Sequence, residues 1–389
     1  MRRVAYIQYT NPAAFPPLEH SSKIFAREGW QVLFLGTGGL GTDALKFPTH
    51  PAIAVRQLPF CPGGWRQKIH YLWFCLWAMS WAMRWRPTYV YASDPLSCPA
   101  VLLLGFVFGL RAIYHEHDSP DMAAVNQSLF IRGVLWARGV LARRAEFCVL
   151  PNEHRAERFV VETGTNRKVL CVWNCPMREE AASPRLSCED DALRILYHGS
   201  IVPPRLPTTV LQALTTLPES AKLRIVGYET VGHIGYVRTL QNLAKQLGLE
   251  HRVEILGPMS RKELLEQSLR CDVGLSIIPR HGEEVNLKYM IGASVKPFDY
   301  LVSGLALLVS DLPDWKKIYV DPGYGLACNP EDPRSIAEAL QWFLEHPDDM
   351  RAMGERGRQR ILSGWNYETQ FAPVLERFRL FFKPGERGS

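Results

Sequence analysis

Within the run Gly292-Ala293-Ser294-Val295-Lys296-Pro297-Phe298-Asp299-Tyr300, a loop of small residues leads into a serine, a lysine, a proline and an aspartate. Ser294 suits a helix N-cap and Pro297 the first helical turn. Such a loop, with Val295 beside the cap, would turn backbone N–H groups and the positive end of a helix towards an anion such as a diphosphate. Lys296 adds a mobile cation, and Asp299 can accept hydrogen bonds from vicinal hydroxyls such as those of a ribose. The same residues equally describe an ordinary capped helix. A second stretch, Tyr197-His198-Gly199-Ser200-Ile201-Val202-Pro203-Pro204-Arg205, reads as a strand end running into a glycine loop. Gly199 permits close backbone approach, and Arg205 offers a guanidinium fork for phosphate oxygens. A third, Tyr114-His115-Glu116-His117-Asp118, has the residue types of a metal site, but it alternates along a strand and no second ligand group accompanies it, so no metal is expected.

These residues need a scaffold, and the pattern of short β-rich runs alternating with helical stretches supplies one. Strands are expected at 3–9, 31–36, 88–92, 112–114, 147–150 and 168–172, with helices at 20–28 and 100–109 and a proline-rich loop at 11–17. A polar stretch at 177–193 reads as a linker. Beyond it the rhythm restarts, with strands at 193–197, 222–226, 253–256, 273–278 and 306–309 and helices at 208–217, 234–247 and 297–302. Helices follow at 333–344 and within 348–382, divided by the small stretch Ser363-Gly364-Trp365-Asn366. The expectation is α/β: two doubly wound Rossmann-like domains, 1–180 and 190–363, and a last segment 364–389. In such sheets ligands bind beyond the strand carboxyl ends, where both the Gly199 and Lys296 segments would lie.

The composition agrees with that scaffold. With 389 residues, 47% hydrophobic and 22% charged, the chain has the make-up of a globular protein of about two domains. The net charge of +6 is concentrated: residues 1–180 carry 20 basic and 13 acidic side chains, so the basic excess belongs to the N-terminal half. That half reads either as a solvated basic face or as one suited to an anionic surface, and no recognition motif accompanies it to suggest nucleic acid. Nine cysteines without a Cys-x-x-Cys pair indicate neither a disulfide framework nor zinc, and a reducing cytosol fits. The opening apolar run is too short for a signal peptide. Residues 69–83 are apolar nearly all round, with Trp73, Trp77, Trp81 and Trp85 at every fourth position and cations on both flanks. Such a helix lies either against a membrane interface or in a core.

Several stretches together resemble a known family. Residues 194–205, 224–229, Val253-Glu254-Ile255-Leu256-Gly257, Arg270-Cys271-Asp272-Val273-Gly274-Leu275 and 296–313 are similar in order and spacing to the retaining, nucleotide-sugar-dependent glycosyltransferases of the GT-B fold, particularly family four (group 1). Residues 86–95, 114–118 and Val172-Trp173-Asn174-Cys175-Pro176 look like the N-terminal landmarks of that family. The resemblance implies a GT-B architecture whose two domains face a central cleft, with the donor held by the C-terminal domain and the acceptor by the N-terminal one. The final helix would cross back to the N-terminal domain. It implies transfer of a sugar from a nucleoside-diphosphate sugar to an acceptor hydroxyl on a glycan, lipid or small molecule, with retention, no cofactor and no required metal. The setting would be polysaccharide biosynthesis in the cytoplasm. An anionic membrane surface at the inner face of the plasma membrane is a partner suggested by the basic half and the tryptophan helix rather than by the resemblance.

Position by position, the resemblance puts Arg205 and Lys296 on the donor diphosphate, with Gly199 beside it, and Ser200 where many members carry an arginine. Asp299 falls on the second acidic residue of the E-x7-E motif, which holds the ribose, and Ile291 stands where the first glutamate would be. Asn286-Leu287-Lys288-Tyr289 ahead of Lys296-Pro297-Phe298-Asp299-Tyr300 resembles a subgroup that also lacks that glutamate, with Glu283 or Glu284 as substitutes. His117 matches the strand-end histidine that orients the donor sugar, and Glu19 and His20 fall near the first loop, where the acceptor would bind. Ser200 and Ile291 motivate a second reading, a GT-B relative that binds without transfer, and the same fold admits a third, a sugar-nucleotide epimerase.

Overall fold

The computed structural model describes residues 2–42, 45–120, 128–181, 183, 192–281 and 284–381. The chain divides into two compact units, one made of Met1–Gly39, Phe47–Asn174 and Asn366–Ser389, the other of Leu40–Lys46 and Cys175–Trp365.

The first unit is built on seven parallel strands, β1 (Arg3–Ile7), β2 (Gln31–Thr37), β3 (Ile53–Leu58), β4 (Tyr89–Ser93), β5 (Arg111–His115), β6 (Cys148–Leu150) and β7 (Val169–Cys171), in the order β3-β2-β1-β4-β5-β6-β7. Strands covered on both faces read as continuous apolar runs rather than alternating ones, and β4, Tyr89-Val90-Tyr91-Ala92-Ser93, is buried at every position. Strand order reverses between β1 and β4, which defines the ligand crevice of such a sheet.

Helix α1 (Pro16–Arg27) begins inside the stretch expected to be a loop. Pro16 and Pro17 occupy the first turn, where a missing N–H costs nothing, and Asn11 caps the short 3-10 turn Pro12–Ala14 before it. Helix α2 (Trp65–Trp85) turns Tyr71, Phe74, Cys75, Ala78 and Ala82 inward. The tryptophan row runs beside that face, not along it: Trp73 is 57% exposed, and Trp77, Trp81 and Trp85 are half-buried. Packing against the core therefore holds for Trp77, Trp81 and Trp85 but not for Trp73. Helices α3 (Cys98–Phe108), α4 (Leu129–Arg144) and α5 (Glu153–Thr163) complete the layer that buries Leu141, Phe159 and Leu104 against the sheet.

The second unit has six parallel strands, β8 (Leu193–Ser200), β9 (Ala221–Tyr228), β10 (Val253–Leu256), β11 (Val273–Ser276), β12 (Ala306–Ser310) and β13 (Gly325–Cys328), ordered β10-β9-β8-β11-β12-β13. Its reversal falls between β8 and β11. The helices are α6 (Thr209–Leu214), α7 (Tyr236–Gln246), α8 (Arg261–Ser268), α9 (Val285–Lys288), α10 (Lys296–Val302), α11 (Pro313–Trp315), α12 (Pro333–Glu345) and α13 (Pro347–Ser363). The last helix, α14 (Tyr367–Phe381), belongs to the first unit, where Phe378 and Phe371 pack edge-on against Phe25 and Phe378 also meets Trp30.

Candidate functional site

In the second unit, β8 and α10 meet at the strand-order reversal. Tyr300 fixes their relation: its hydroxyl accepts from the His198 N–H at 3.1 Å and donates to the Leu275 carbonyl at 3.0 Å, tying α10 to β8 and β11. Gly274 makes room for this ring, since a Cβ there would lie 2.1 Å from Tyr300 Cγ.

With α10 pinned, Lys296 lies over Gly199. A side chain at Gly199 would meet Lys296 Cε and Nζ at 3.2 and 3.3 Å, and Gly199 also holds a left-handed φ of +105°. The Lys296 ammonium stands 5.5 Å from the centre of the Tyr197 ring. Arg205 reaches the same loop, its Nη1 donating to Ser200 Oγ at 3.0 Å. Gly199, Ser200, Arg205 and Lys296, far apart in sequence, thus occupy one place. Burial pushes the Lys296 ammonium well below the ordinary lysine range, the neighbouring Arg205 charge pushes the same way, and Asp299 opposes them. Two cations held in mutual repulsion at a glycine-lined strand end are an arrangement that an anion would relieve.

Ser294 is not the helix cap. Val295 holds that position without a side-chain cap, and the Ser294 N–H is directed back to the Met290 carbonyl at 2.8 Å. The cause is a turn over 291–293 with Gly292 at φ +74°, which closes on Met290 before the helix begins. Ile291 is half-buried in that turn, Glu284 is exposed at the head of α9, and Glu283 lies outside the described residues.

Asp299 is buried and already engaged. Arg261, the first residue of α8, donates to Asp299 Oδ1 at 2.9 Å and grips Glu180 with Nε at 2.5 Å and Nη2 at 3.0 Å. Burial works against the Arg261 charge, but the two carboxylates more than offset it and raise its pKa. His198 Nε2 lies 3.5 Å from Asp299 Oδ2. Burial, with the Lys296 and Arg261 charges, drives the His198 pKa well down, so a neutral imidazole stands beside the carboxylate. The sequence revealed neither His198 nor Arg261 as a partner of Asp299. The Ser260–Glu263 capping box marks where α8 starts, but nothing local says what Arg261 reaches.

In the first unit, His117 follows β5 and is buried, its ring 3.9 Å from that of His115 and 5.9 Å from that of Phe15, the residue preceding α1. The Tyr91 hydroxyl and His115 Nδ1 share a hydrogen bond of 2.6 Å. Burial lowers the His117 pKa to about 3, so its imidazole is neutral, and among the described residues neither ring nitrogen has a hydrogen-bond partner. Asp94, not foreseen as a site residue, holds this loop. At a left-handed φ of 64°, it accepts from the N–H groups of His117 at 2.8 Å and Asp118 at 3.3 Å, and from Gln8 Nε2 at 3.3 Å. Burial and the Asp118 charge push Asp94 up to about 8, against the pull of those N–H groups. Arg155 Nη1 donates to the His117 carbonyl at 2.9 Å.

Glu116 turns away from this cluster to meet Arg138 through two hydrogen bonds of 2.5 and 2.8 Å, with Tyr114 on the same carboxylate. Among the described residues no group of three His, Cys, Asp or Glu side chains is arranged to hold a metal ion. Glu19 and His20 are buried on α1, Glu19 bonded to Lys23 at 2.6 Å and the His20 ring edge-on to Tyr367 at 5.2 Å.

Two doubly wound parallel sheets of these orders, each with a polar cluster at its reversal point, define the GT-B fold. Sucrose-phosphate synthase from Thermosynechococcus elongatus superposes with a TM-score of 0.70 at 16% identity over 98% of this chain and 99% of that one. Anabaena HepE, in a complex with UDP and glucose, does so with 0.69 at 14% identity over 98% and 100%. Residues 179–360 match the family of glycosyl transferases group 1. A D-inositol 3-phosphate glycosyltransferase of Xylanimonas cellulosilytica is 28% identical over 48% of this chain, a match spanning only 42% of its own length. A glycogen synthase of Mycobacterium tuberculosis is 23% identical over 78% of this chain and 70% of its own.

Proposed function

We propose that the protein is a retaining glycosyltransferase that takes a hexosyl or related sugar from a nucleoside-diphosphate sugar and passes it to an acceptor hydroxyl. The observation that carries this reading is the Arg205–Lys296 pair, two cations in mutual repulsion over Gly199. A diphosphate between them relieves that repulsion and favours the protonated form of Lys296. During transfer the bond from the anomeric carbon to the phosphate oxygen breaks, the acceptor oxygen bonds to the same face of that carbon, and the acceptor proton passes to the leaving phosphate. Charge develops on the diphosphate, where preorganised cations lower the barrier most. Asp299, held by Arg261, serves the ribose hydroxyls. Neutral His117 meets a donor-sugar hydroxyl such as the 6-hydroxyl, and the acceptor, a glycan, lipid or small molecule of polysaccharide biosynthesis, binds towards Glu19 and His20.

HepE, a fold neighbour, has been solved with UDP-glucose, which makes UDP-hexoses the first donors to try. The test is a thermal-shift screen of nucleotide sugars, followed by transfer assays. A ligand that binds the folded state raises its melting temperature, and the shift is expected to vanish in Lys296→Ala and Arg205→Ala. Absence of any nucleoside-diphosphate binding at millimolar concentration sinks the reading. Ile291 in place of a donor-sugar carboxylate favours a second one, binding without transfer, which predicts the shift without product. Isomerised nucleotide sugar formed without acceptor would instead identify an epimerase.

A further inference from the structure

Helices α2, α3 and α4 lie side by side in the first unit: the Tyr71 ring of α2 meets Phe130 of α4 edge-on at 5.0 Å, and Tyr71, Leu102, Phe106, Phe130 and Trp136 line one groove of about 510 Å³ shared by the three. Their outward side is apolar to a degree that needs an explanation. Leu129 is 82% exposed, Trp136 67% and Phe106 60%, and Trp65, Leu72, Trp73, Leu76 and Met83 of α2 are exposed with them. Contiguous exposed apolar surface of this kind marks a contact site.

The charges say what the contact is. None of the three helices contains an aspartate or glutamate. Apart from Arg138, which is buried against Glu116, the cations stand at the helix ends: Arg66 and Lys68 open α2 and Arg84 closes it, while Arg132 opens α4 and Arg143 and Arg144 close it, all exposed. The Arg144 guanidinium lies 4.4 Å above the Phe106 ring, joining rim to apolar centre. Two copies of such a face would bring cationic rims together, which opposes self-association. A bilayer with anionic headgroups meets both features at once, since cations sit at headgroup level while tryptophans and aliphatic side chains enter the acyl boundary. Among the described residues no helix is long and apolar enough to cross a membrane, so contact would be by the face alone.

We propose that the α2–α3–α4 face docks the protein on an anionic lipid bilayer, with the groove between α3 and α4 receiving a hydrocarbon chain. This goes beyond the transferase reading and is tested without any donor. The full chain is floated with vesicles of phosphatidylcholine, with and without phosphatidylglycerol. Flotation is expected with the anionic vesicles only and to weaken with salt. Arg132→Gln and Arg144→Gln should each lower the partition coefficient about fivefold, and the double variant Phe106→Asp/Trp136→Asp by more than tenfold. Vesicles brominated in the acyl chain should quench tryptophan fluorescence, less so in Trp136→Phe. An unchanged melting temperature and far-UV circular dichroism spectrum show that each variant remains folded. Failure to float on anionic vesicles at low salt overturns the proposal, as does flotation indifferent to Phe106→Asp/Trp136→Asp. A dimer in light scattering that this double variant dissolves, without flotation by the parent, assigns the face to a second copy and overturns it equally.

Discussion

The two units place polar clusters at equivalent points of their sheets and fill them with opposite chemistry. In the first unit Glu116 is held by Arg138, Asp94 receives backbone N–H groups, and the imidazoles of His115 and His117 stay neutral under burial. In the second, Glu180 and Asp299 are both gripped by Arg261, and the Lys296 ammonium faces the Arg205 guanidinium in a buried setting that depresses it. The fold provides the place, at the carboxyl ends of strands flanking the order reversal. The side chains differ: uncharged imidazoles stand at that place in one unit, and a lysine and an arginine in the other.

That contrast can be broken, and the largest effect belongs to the first unit. Arg138→Ala leaves Glu116 as an uncompensated buried carboxylate and should cost about 3–5 kcal/mol in urea denaturation, with nucleoside-diphosphate affinity of the folded fraction intact. A loss of affinity at constant stability would contradict the division of roles. Lys296→Met should do the reverse. Turnover falls about 10²–10³-fold, as for loss of one preorganised charge, while the melting temperature holds or rises because a desolvated cation beside another is gone. Gly274→Ala pushes on the Tyr300 ring and should destabilise by about 1–3 kcal/mol, as overpacking does. Its effect on donor KM should exceed that on folding of the first unit, since Tyr300 sets α10 against β8.

The smallest effect is in pH dependence. Asp94 binds its proton more tightly in the folded protein, about 8 against an ordinary 3.8, so its contribution to stability is complete below the lower value and is lost as pH rises to the upper. Asp94→Asn keeps an acceptor for the His117 N–H and should flatten that slope in thermal unfolding at stepped pH. His117 acts with the opposite sign: its folded pKa of about 3 lies below the ordinary 6.5, so stability falls as pH drops through that interval.

Much of the scaffold was legible because buried parallel strands announce themselves as short apolar runs: β10 has the expected bounds, and α10 starts one residue earlier than expected. The strands not foreseen, β3 and β13, are edge strands with mixed burial, which weakens the apolar signal. Helix α4 was missed since arginines and glycines interrupt its periodicity, Arg138 being drawn inward by Glu116. In the site, residue types gave Arg205, Lys296 and Asp299, and the structure brings the two cations together. The Ser294 cap failed on the turn geometry before α10. Arg261 and Asp94 were invisible because their roles depend on contacts with Asp299 and with the His117 backbone that no local pattern encodes.

The central claim is that Arg205 and Lys296 form a diphosphate receptor. Isothermal titration of the full chain with UDP and with uridine, in the wild type and in Arg205→Ala and Lys296→Ala, tests it most directly. The expected result is UDP binding that takes up protons at alkaline pH, as the bound anion re-protonates Lys296, and that weakens about 10²-fold or more in both variants, with any uridine binding unchanged. UDP binding of equal strength in all three proteins, or none at millimolar concentration in the wild type, would contradict it.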